Sequence, residues 1–280
     1  MLGLPDDVRA CLFDLDGVLT STAKVHAAAW KEMFDGFLSQ RAVAGGHLFV
    51  PFDIGPDYLT HVDGKPRADG TRAFLSSRGI ELPEGGVDDG PETETVRGLG
   101  LRKNELVLRL IREGGVEAYP GSVEYLRRAR DSGLARVVVS SSTNCHDVLV
   151  AAGLIDLVDG YIDGIVAEQR HVRGKPAPDT FLAGAELAGV TPDQAAVFED
   201  ALAGVEAGRA GGFRTVVGVD RVGPVDPHRV DDLLAHGADL VVGDLRELLD
   251  RPLPGREDRG PDDTGGWGPD DAARGPEAPA

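Results

Sequence analysis

Phe13-Asp14-Leu15-Asp16-Gly17-Val18-Leu19-Thr20 continues the apolar run Val8-Arg9-Ala10-Cys11-Leu12-Phe13 near the start of the chain. The run predicts a β-strand buried in a sheet, and two carboxylates emerge where that strand ends. Side chains two residues apart in a strand point to one face, so Asp14 and Asp16 stand side by side. Gly17 permits a sharp turn or a close approach of backbone. One carboxylate can attack phosphorus as nucleophile while its neighbour moves a proton on the other oxygen, which splits one hard step into two easier ones. Taken alone, the same residues also describe a strand that ends in a solvated acidic turn. The rest of the chain decides between the two.

Beyond Tyr119-Pro120-Gly121, strands and helices alternate. The apolar runs at 136–140, 195–199, 214–219 and 240–242 read as strands, with helices at 122–132, 179–188 and 201–210 between them. Parallel strands need crossover helices, and short, continuously apolar runs suit strands covered on both faces. The fold class is therefore α/β, a Rossmann-like parallel-sheet core that the opening strand joins. Between the first strand and the second, residues 22–115 carry no strong strand signal. Helices are expected at 24–40, 71–78 and 102–113, separated by a Gly-, Pro- and Asp-rich stretch at 44–69 and a polar one at 84–100. The core thus comprises 1–21 and 116–250, interrupted by an inserted α-helical domain at 22–115. Residues 251–280 form an acidic Pro/Gly-rich tail that cannot bury enough apolar surface to order itself, with Trp267 as its only aromatic residue.

A chain of 280 residues with 41% hydrophobic content can bury a sizeable core. Asp and Glu number 47 against 29 Lys and Arg, and the resulting formal charge of -18 opposes binding to nucleic acid or to an anionic membrane. The two cysteines, Cys11 and Cys145, make neither a disulfide framework nor a zinc spacing. They read as buried free thiols in a reducing compartment. The N-terminus shows no signal-peptide pattern and no apolar run approaches bilayer length, so a cytoplasmic monomer is expected.

Ligands of open parallel sheets collect at the carboxyl ends of the strands. Four segments expected there offer complementary groups: Asp14 and Asp16; Ser140-Ser141-Ser142-Thr143-Asn144; Gly174-Lys175-Pro176 after Ile165; and Glu199-Asp200. A phosphoryl group in transfer carries charge on its equatorial oxygens, which calls for a fixed cation and hydrogen-bond donors, roles that Lys175 and Ser140 fit. A carboxylate approaching an anionic phosphate is repelled, and Mg²⁺ held by Asp14, Asp16, Glu199 and Asp200 would offset this. Singly, the Ser run or Glu199-Asp200 is also compatible with a helix N-cap. Their order along the chain favours the catalytic reading.

That order resembles the haloacid dehalogenase superfamily, whose D-x-D-G, Ser, Lys and E-D elements stand here as Asp14-Leu15-Asp16-Gly17, Ser140, Lys175 and Glu199-Asp200. The resemblance implies that the insert is a mobile helical cap. It also implies that Asp16, absent from the dehalogenases and phosphonatases, is the general acid and base of a phosphatase or phosphomutase. Within the superfamily, the β-phosphoglucomutase-like subfamily is more similar still. Its H-x-x-x-W appears as His26 and Trp30, its specificity loop as Gly64-Lys65-Pro66-Arg67, and its cap R-K-N as Arg102-Lys103-Asn104. The similarity implies that Arg67, Ser142 and Asn144 hold the phosphate that is not being transferred. It further implies that Lys103 reaches the sugar or the reacting phosphate, that His26 orients Asp16, and that Trp30 belongs to the substrate site. Taken alone, His26 and Trp30 also suit ordinary packing on one helical face. The chain departs from the subfamily at Thr143, where Lys is usual, and in a longer cap that places Asp63 near the specificity loop.

These readings converge on an enzyme that phosphorylates Asp14 and acts on a small phosphorylated sugar, interconverting β-D-glucose 1-phosphate and glucose 6-phosphate. A Mg²⁺-dependent sugar-phosphate phosphatase is the alternative, since water can take the phosphoryl group from the same aspartate.

Overall fold

The structure, a computed structural model, describes residues 2–221 and 228–249. The expected tail at 251–280, including Trp267, lies outside the described residues. Six parallel strands form one sheet in the order β3-β2-β1-β4-β5-β6. They are β1 Ala10–Phe13, β2 Ala135–Val139, β3 Gly160–Ile162, β4 Ala195–Glu199, β5 Thr215–Val219 and β6 Leu240–Val242. The opening strand lies at the centre. Its register sets Phe13 beside Val138 of β2 and Phe198 of β4, so these three strands end within a residue of one another and deliver their next side chains to one rim.

Helices cover both faces, which is why the central strands are apolar throughout rather than alternating. One layer joins Phe13, Tyr125 and Phe198 with residues of α4 Pro120–Asp131 and α5 Cys145–Ala151. The other packs Phe181 of α7 Asp179–Leu187 and Val205 of α8 Leu202–Ala210 against Leu12, Val137 and Val197. Cys11 and Cys145 are both buried and free.

Between β1 and β2 the chain is helical: α1 Ala23–Gly45, a π-helical turn Tyr58–Val62, α2 Arg67–Ser77 and α3 Val96–Gly114. In α1 the buried residues Ala27, Trp30, Met33, Phe34 and Phe37 recur every three or four positions, forming one stripe. They build a separate apolar cluster with Phe52, Val62, Phe74 and Leu99. Phe34 lies 5.2 Å from Trp30, 5.2 Å from Phe52 and 4.2 Å from Phe74, ring centre to ring centre. The two crossings between this unit and the sheet run side by side. Thr20 pairs antiparallel with Ala118, Ser21 N–H donates to the Glu117 carbonyl (2.9 Å), and Tyr119 N–H donates to that of Leu19 (2.9 Å).

Several elements differ from expectation. α3 begins at Val96, inside the stretch read as a polar spacer, because the Thr95 hydroxyl caps it by accepting from Gly98 N–H (3.0 Å). α2 begins at Arg67, ahead of the helix expected from 71, so that residue occupies a helix start at the end of the Gly-, Pro- and Asp-rich stretch at 44–69. β3, α6 Gly164–Arg170 and α9 Arg229–Ala235 add to the expected elements, and Ile165 lies within α6 instead of ending a strand. Lys175 therefore stands on a loop between α6 and α7.

Phe34 touches three rings at the centre of its cluster, so Phe34→Ala is expected to destabilise the protein by about 3–5 kcal/mol, read from chemical denaturation.

Candidate active site

The strand ends converge on Lys175. Its ammonium, 1% exposed, lies 2.5 Å from Asp14 Oδ1 after β1 and 2.5 Å from Glu199 Oε1 at the end of β4, and donates to the Val139 carbonyl of β2 at 2.9 Å. Burial works against its charge, but the two carboxylates outweigh burial and hold it protonated above its ordinary range. Burial raises Asp14 to about 6, Lys175 opposes that rise, and the neighbouring Asp16 adds to it.

Asp14 and Asp16 do not sit on the strand itself, since β1 ends at Phe13. They flank Leu15, which is buried in the core, and the turn brings Gly17 N–H to the Thr20 carbonyl at 2.8 Å. Gly17 adopts φ 88°, and a Cβ there would lie 1.8 Å from Asp200 Oδ2. The glycine of the motif is thus what lets the Asp200 carboxylate approach. Asp16 belongs to a different hydrogen-bond set. Thr22 Oγ1 donates to its Oδ1, and Thr22 in turn shares a 2.7 Å hydrogen bond with Thr20 Oγ1. Burial raises Asp16 toward its protonated form, with the Thr22 hydrogen bond opposing. A carboxylate fixed against an ammonium can act as a nucleophile, and a second one raised toward its acid form can carry a proton.

His26 approaches Asp16 from α1, with Nε2 3.7 Å from Oδ1. Burial, then the charges of Lys103 and Arg67, hold its imidazole well below its ordinary range, so the ring is neutral. Lys103 Nζ lies 3.0 Å from Nδ1. With Lys103 donating there, the ring proton resides on Nε2 and faces Asp16. Trp30 presents its ring to the same ammonium at 4.9 Å, so it seats Lys103 by a cation–π contact while also lining the cavity.

Across the cavity, Arg67 Nη2 donates to Thr143 Oγ1 at 2.7 Å and to Asn104 Oδ1 at 3.0 Å, and Asn144 Nδ2 donates to the same Asn104 oxygen at 2.9 Å. Ser142 lines the same end, its Oγ accepting from Asn144 N–H at 3.1 Å. Ser140 is buried, and its Oγ accepts from Ser142 N–H at 3.1 Å. Arg67, Lys103, His26, Trp30, Ser142 and Asn144 thus face one cavity with Asp14, Asp16 and Asp200. Tyr58 and Asp63 line it too, and Arg229 reaches its edge. No local pattern marks Tyr58 or Arg229.

Oxygens of Asp14, Glu199 and Asp200 lie within 4.8 Å of one another. Asp200 is held well above the usual carboxylate range by burial and by the charges of Asp63, Glu199 and Asp14, which reflects the negative charge crowded around it. An all-oxygen donor set short of positive charge fits a hard divalent cation. The carboxylate of Asp16, turned to Thr22 and His26, is not in this cluster, so of the four expected carboxylates the structure groups three. Glu199 also accepts from Ala201 N–H at 3.0 Å.

Residues 8–212 match the sequence model of the haloacid dehalogenase-like hydrolases. The chain belongs to that family. It is an enzyme of phosphoryl transfer. The beta-phosphoglucomutase of Mycobacterium bovis is 56% identical over 249 residues, which covers 89% of this chain and 94% of that protein. The fructose-1-phosphate phosphatase YqaB of Escherichia coli is 30% identical over 206 residues, 73% of this chain and 93% of its own. Among solved structures, the beta-phosphoglucomutase of Clostridium difficile superposes with a TM-score of 0.63 at 25% identity, covering 86% of this chain and 93% of that one. Among the described residues, no helix is long and apolar enough to cross a membrane.

Burial, with the Arg67 charge beside it, lowers Lys103 to about 7 from 10.5. A base depressed on folding costs stability as pH falls from 10.5 to about 7 and adds no further cost below that. Lys103→Met is therefore expected to gain on the wild type by up to about 1.4 kcal/mol per pH unit across this window and to run parallel to it below pH 7. Denaturation midpoints from pH 6 to 10 measure the difference.

Proposed function

We propose that the protein is a β-phosphoglucomutase, interconverting β-D-glucose 1-phosphate and glucose 6-phosphate through an aspartyl-phosphate at Asp14. One observation carries this reading: the cavity that Asp14 lines also gathers a second polar set, Arg67, Ser142 and Asn144. Lys175 pairs with Asp14 itself, while Arg67 and Asn144 are joined to each other through Asn104. A hydrolase needs the first set alone, whereas a mutase must hold a sugar by the phosphate that is not reacting. The 56% identical relative named beta-phosphoglucomutase supports the same reading.

In the proposed cycle, phosphorylated Asp14 gives its phosphoryl group to the C6 hydroxyl of β-glucose 1-phosphate, and Asp16 takes the hydroxyl proton. The bisphosphate turns end for end. Asp14 then attacks the C1 phosphate, and Asp16 returns the proton to the departing C1 oxygen, which releases glucose 6-phosphate. His26, with its Nε2–H toward Asp16, orients that carboxylate, and Lys103 neutralises phosphate oxygens. Asp14, Glu199 and Asp200 would hold Mg²⁺, which when bound offsets the repulsion between carboxylate and phosphate. Two free buried thiols suit a monomer in a reducing cytoplasm.

Incubation with β-glucose 1-phosphate, Mg²⁺ and a trace of glucose 1,6-bisphosphate, with glucose 6-phosphate and free phosphate measured separately, tests the proposal. Phosphate release without isomerisation would mark a phosphatase. Asp14→Asn is expected to lower isomerisation on the order of 10⁴-fold or more, and survival of activity in that variant would rule out the aspartyl-phosphate. Arg67→Ala is expected to raise the KM for the sugar phosphate by roughly 10- to 100-fold, while hydrolysis of a small phosphate ester changes little. An equal loss in both assays would remove Arg67 from the distal phosphate.

A further inference from the structure

Asp63 and Arg229 take no part in the chemistry above, yet they form a buried ion pair beside it. The Asp63 carboxylate, 10% exposed, comes from the helical cap, and Arg229 Nη2 reaches it from α9 of the core at 3.4 Å, its own side chain 5% exposed. The same Nη2 also donates to the backbone carbonyl of Asp200. One guanidinium therefore ties the cap to the loop that carries Asp200. Tyr58 lines the same cavity from within the cap, and burial with the charge of the neighbouring Asp63 keeps its phenol protonated.

The backbone around Asp63 is docked as closely as its side chain. Gly64, at φ 70°, lies so near the core that a Cβ there would stand 2.7 Å from Ala201 Cβ. The Gly64 carbonyl accepts from Ser141 Oγ at 2.9 Å. Residues 63–64 therefore meet the core on both sides of the cavity, at Ser141 after β2 and at Arg229 beside the Asp200 loop. Burying a fourth carboxylate beside Asp14, Glu199 and Asp200 is costly unless it is paired. Arg229 supplies that pairing only while the cap is seated.

We propose that Asp63 and Arg229 are positioning residues which seal the Asp200 side of the cavity and so set whether a sugar hydroxyl or water receives the phosphoryl group. This rests on the proposed mutase reading for the identity of the sugar, but only on aspartyl-phosphate chemistry for the competing reaction. In that reaction a water oxygen bonds phosphorus as the bond to Asp14 breaks. Inorganic phosphate and the Asp14 carboxylate result, and the proton shed by water goes to Asp16. Loosening the pair admits water to this step while leaving Lys175, Asp14 and Asp16 in place.

The test uses the full chain as wild type, Asp63→Asn, Arg229→Gln, the double variant and Arg229→Lys. Acetyl phosphate hydrolysis, which needs no sugar site, is measured beside the ratio of free phosphate to glucose 6-phosphate formed from β-glucose 1-phosphate. Each single variant is expected to raise acetyl phosphate kcat and the phosphate-to-isomer ratio about tenfold, equivalent to about 1.4 kcal/mol. The double variant should match the singles instead of multiplying them. Arg229→Lys keeps the charge but cannot serve both acceptors as a planar fork does, so it should fall between. If the singles slow both assays by one factor and leave the ratio unchanged, the pair is merely structural and the proposal fails. Should Arg229→Gln prove unstable, the isosteric Asp63→Asn and the charge-conserving Arg229→Lys decide the question by the same two readouts. If wild type makes no glucose 6-phosphate, the mutase reading falls, and the acetyl phosphate arm still decides this proposal.

Discussion

A single buried ammonium holds the site together. Lys175 touches groups at the ends of β1, β2 and β4, and two of its three partners are carboxylates that burial alone would protonate. Its charge cannot be lost without stranding Asp14 and Glu199 in a medium that solvates them poorly, a cost of about 3–5 kcal/mol for a broken buried pair. The carboxylates in turn keep the lysine charged. The sheet register makes this possible by ending three neighbouring strands at one level. The catalytic constellation is thus a property of the sheet, with the loops adding detail to it.

What could be read from the sequence follows from how each element is stabilised. β4 and β6 were legible to the residue, and β2 and β5 to within one, because strands covered on both faces must be continuously apolar. Gly160–Ile162 gives no such run, being three residues long and flanked by Asp159 and Asp163; its strand character comes from pairing with β2. The start of α3 was hidden because Gly98 and Gly100 look like loop composition, while the cap at Thr95 is a single side-chain hydrogen bond. Asp14, Ser140, Lys175 and Asp200 could be named because each lies in a short motif at a strand end or a loop facing it. Arg229 could not, since it meets Asp63 across 166 positions and nothing local distinguishes it from a surface arginine.

The two carboxylates of the motif gain different chemistry from their surroundings even though only Leu15 separates them. Asp14 is fixed by a permanent charge, whereas Asp16 meets a hydroxyl and a neutral imidazole. Neutral partners leave Asp16 free to carry a proton or to give it up. The unusual Thr143 suits this economy of charge: its hydroxyl accepts from Arg67 where a lysine would stand as a second cation. Arg67 keeps its own charge there, braced by Asn104.

The paired crossings at Thr20 and Ala118 have a mechanical meaning. Thr20 shares its hydroxyl with Thr22, and Thr22 holds Asp16, so the Asp16 carboxylate is tied to the two crossings that join the helical unit to the sheet. Asp14, by contrast, is bolted through Lys175 to the sheet. The two carboxylates of one motif are therefore anchored to different parts of the fold. A strain placed on the crossings would reach Asp16 through two hydroxyls and leave Asp14 with the sheet.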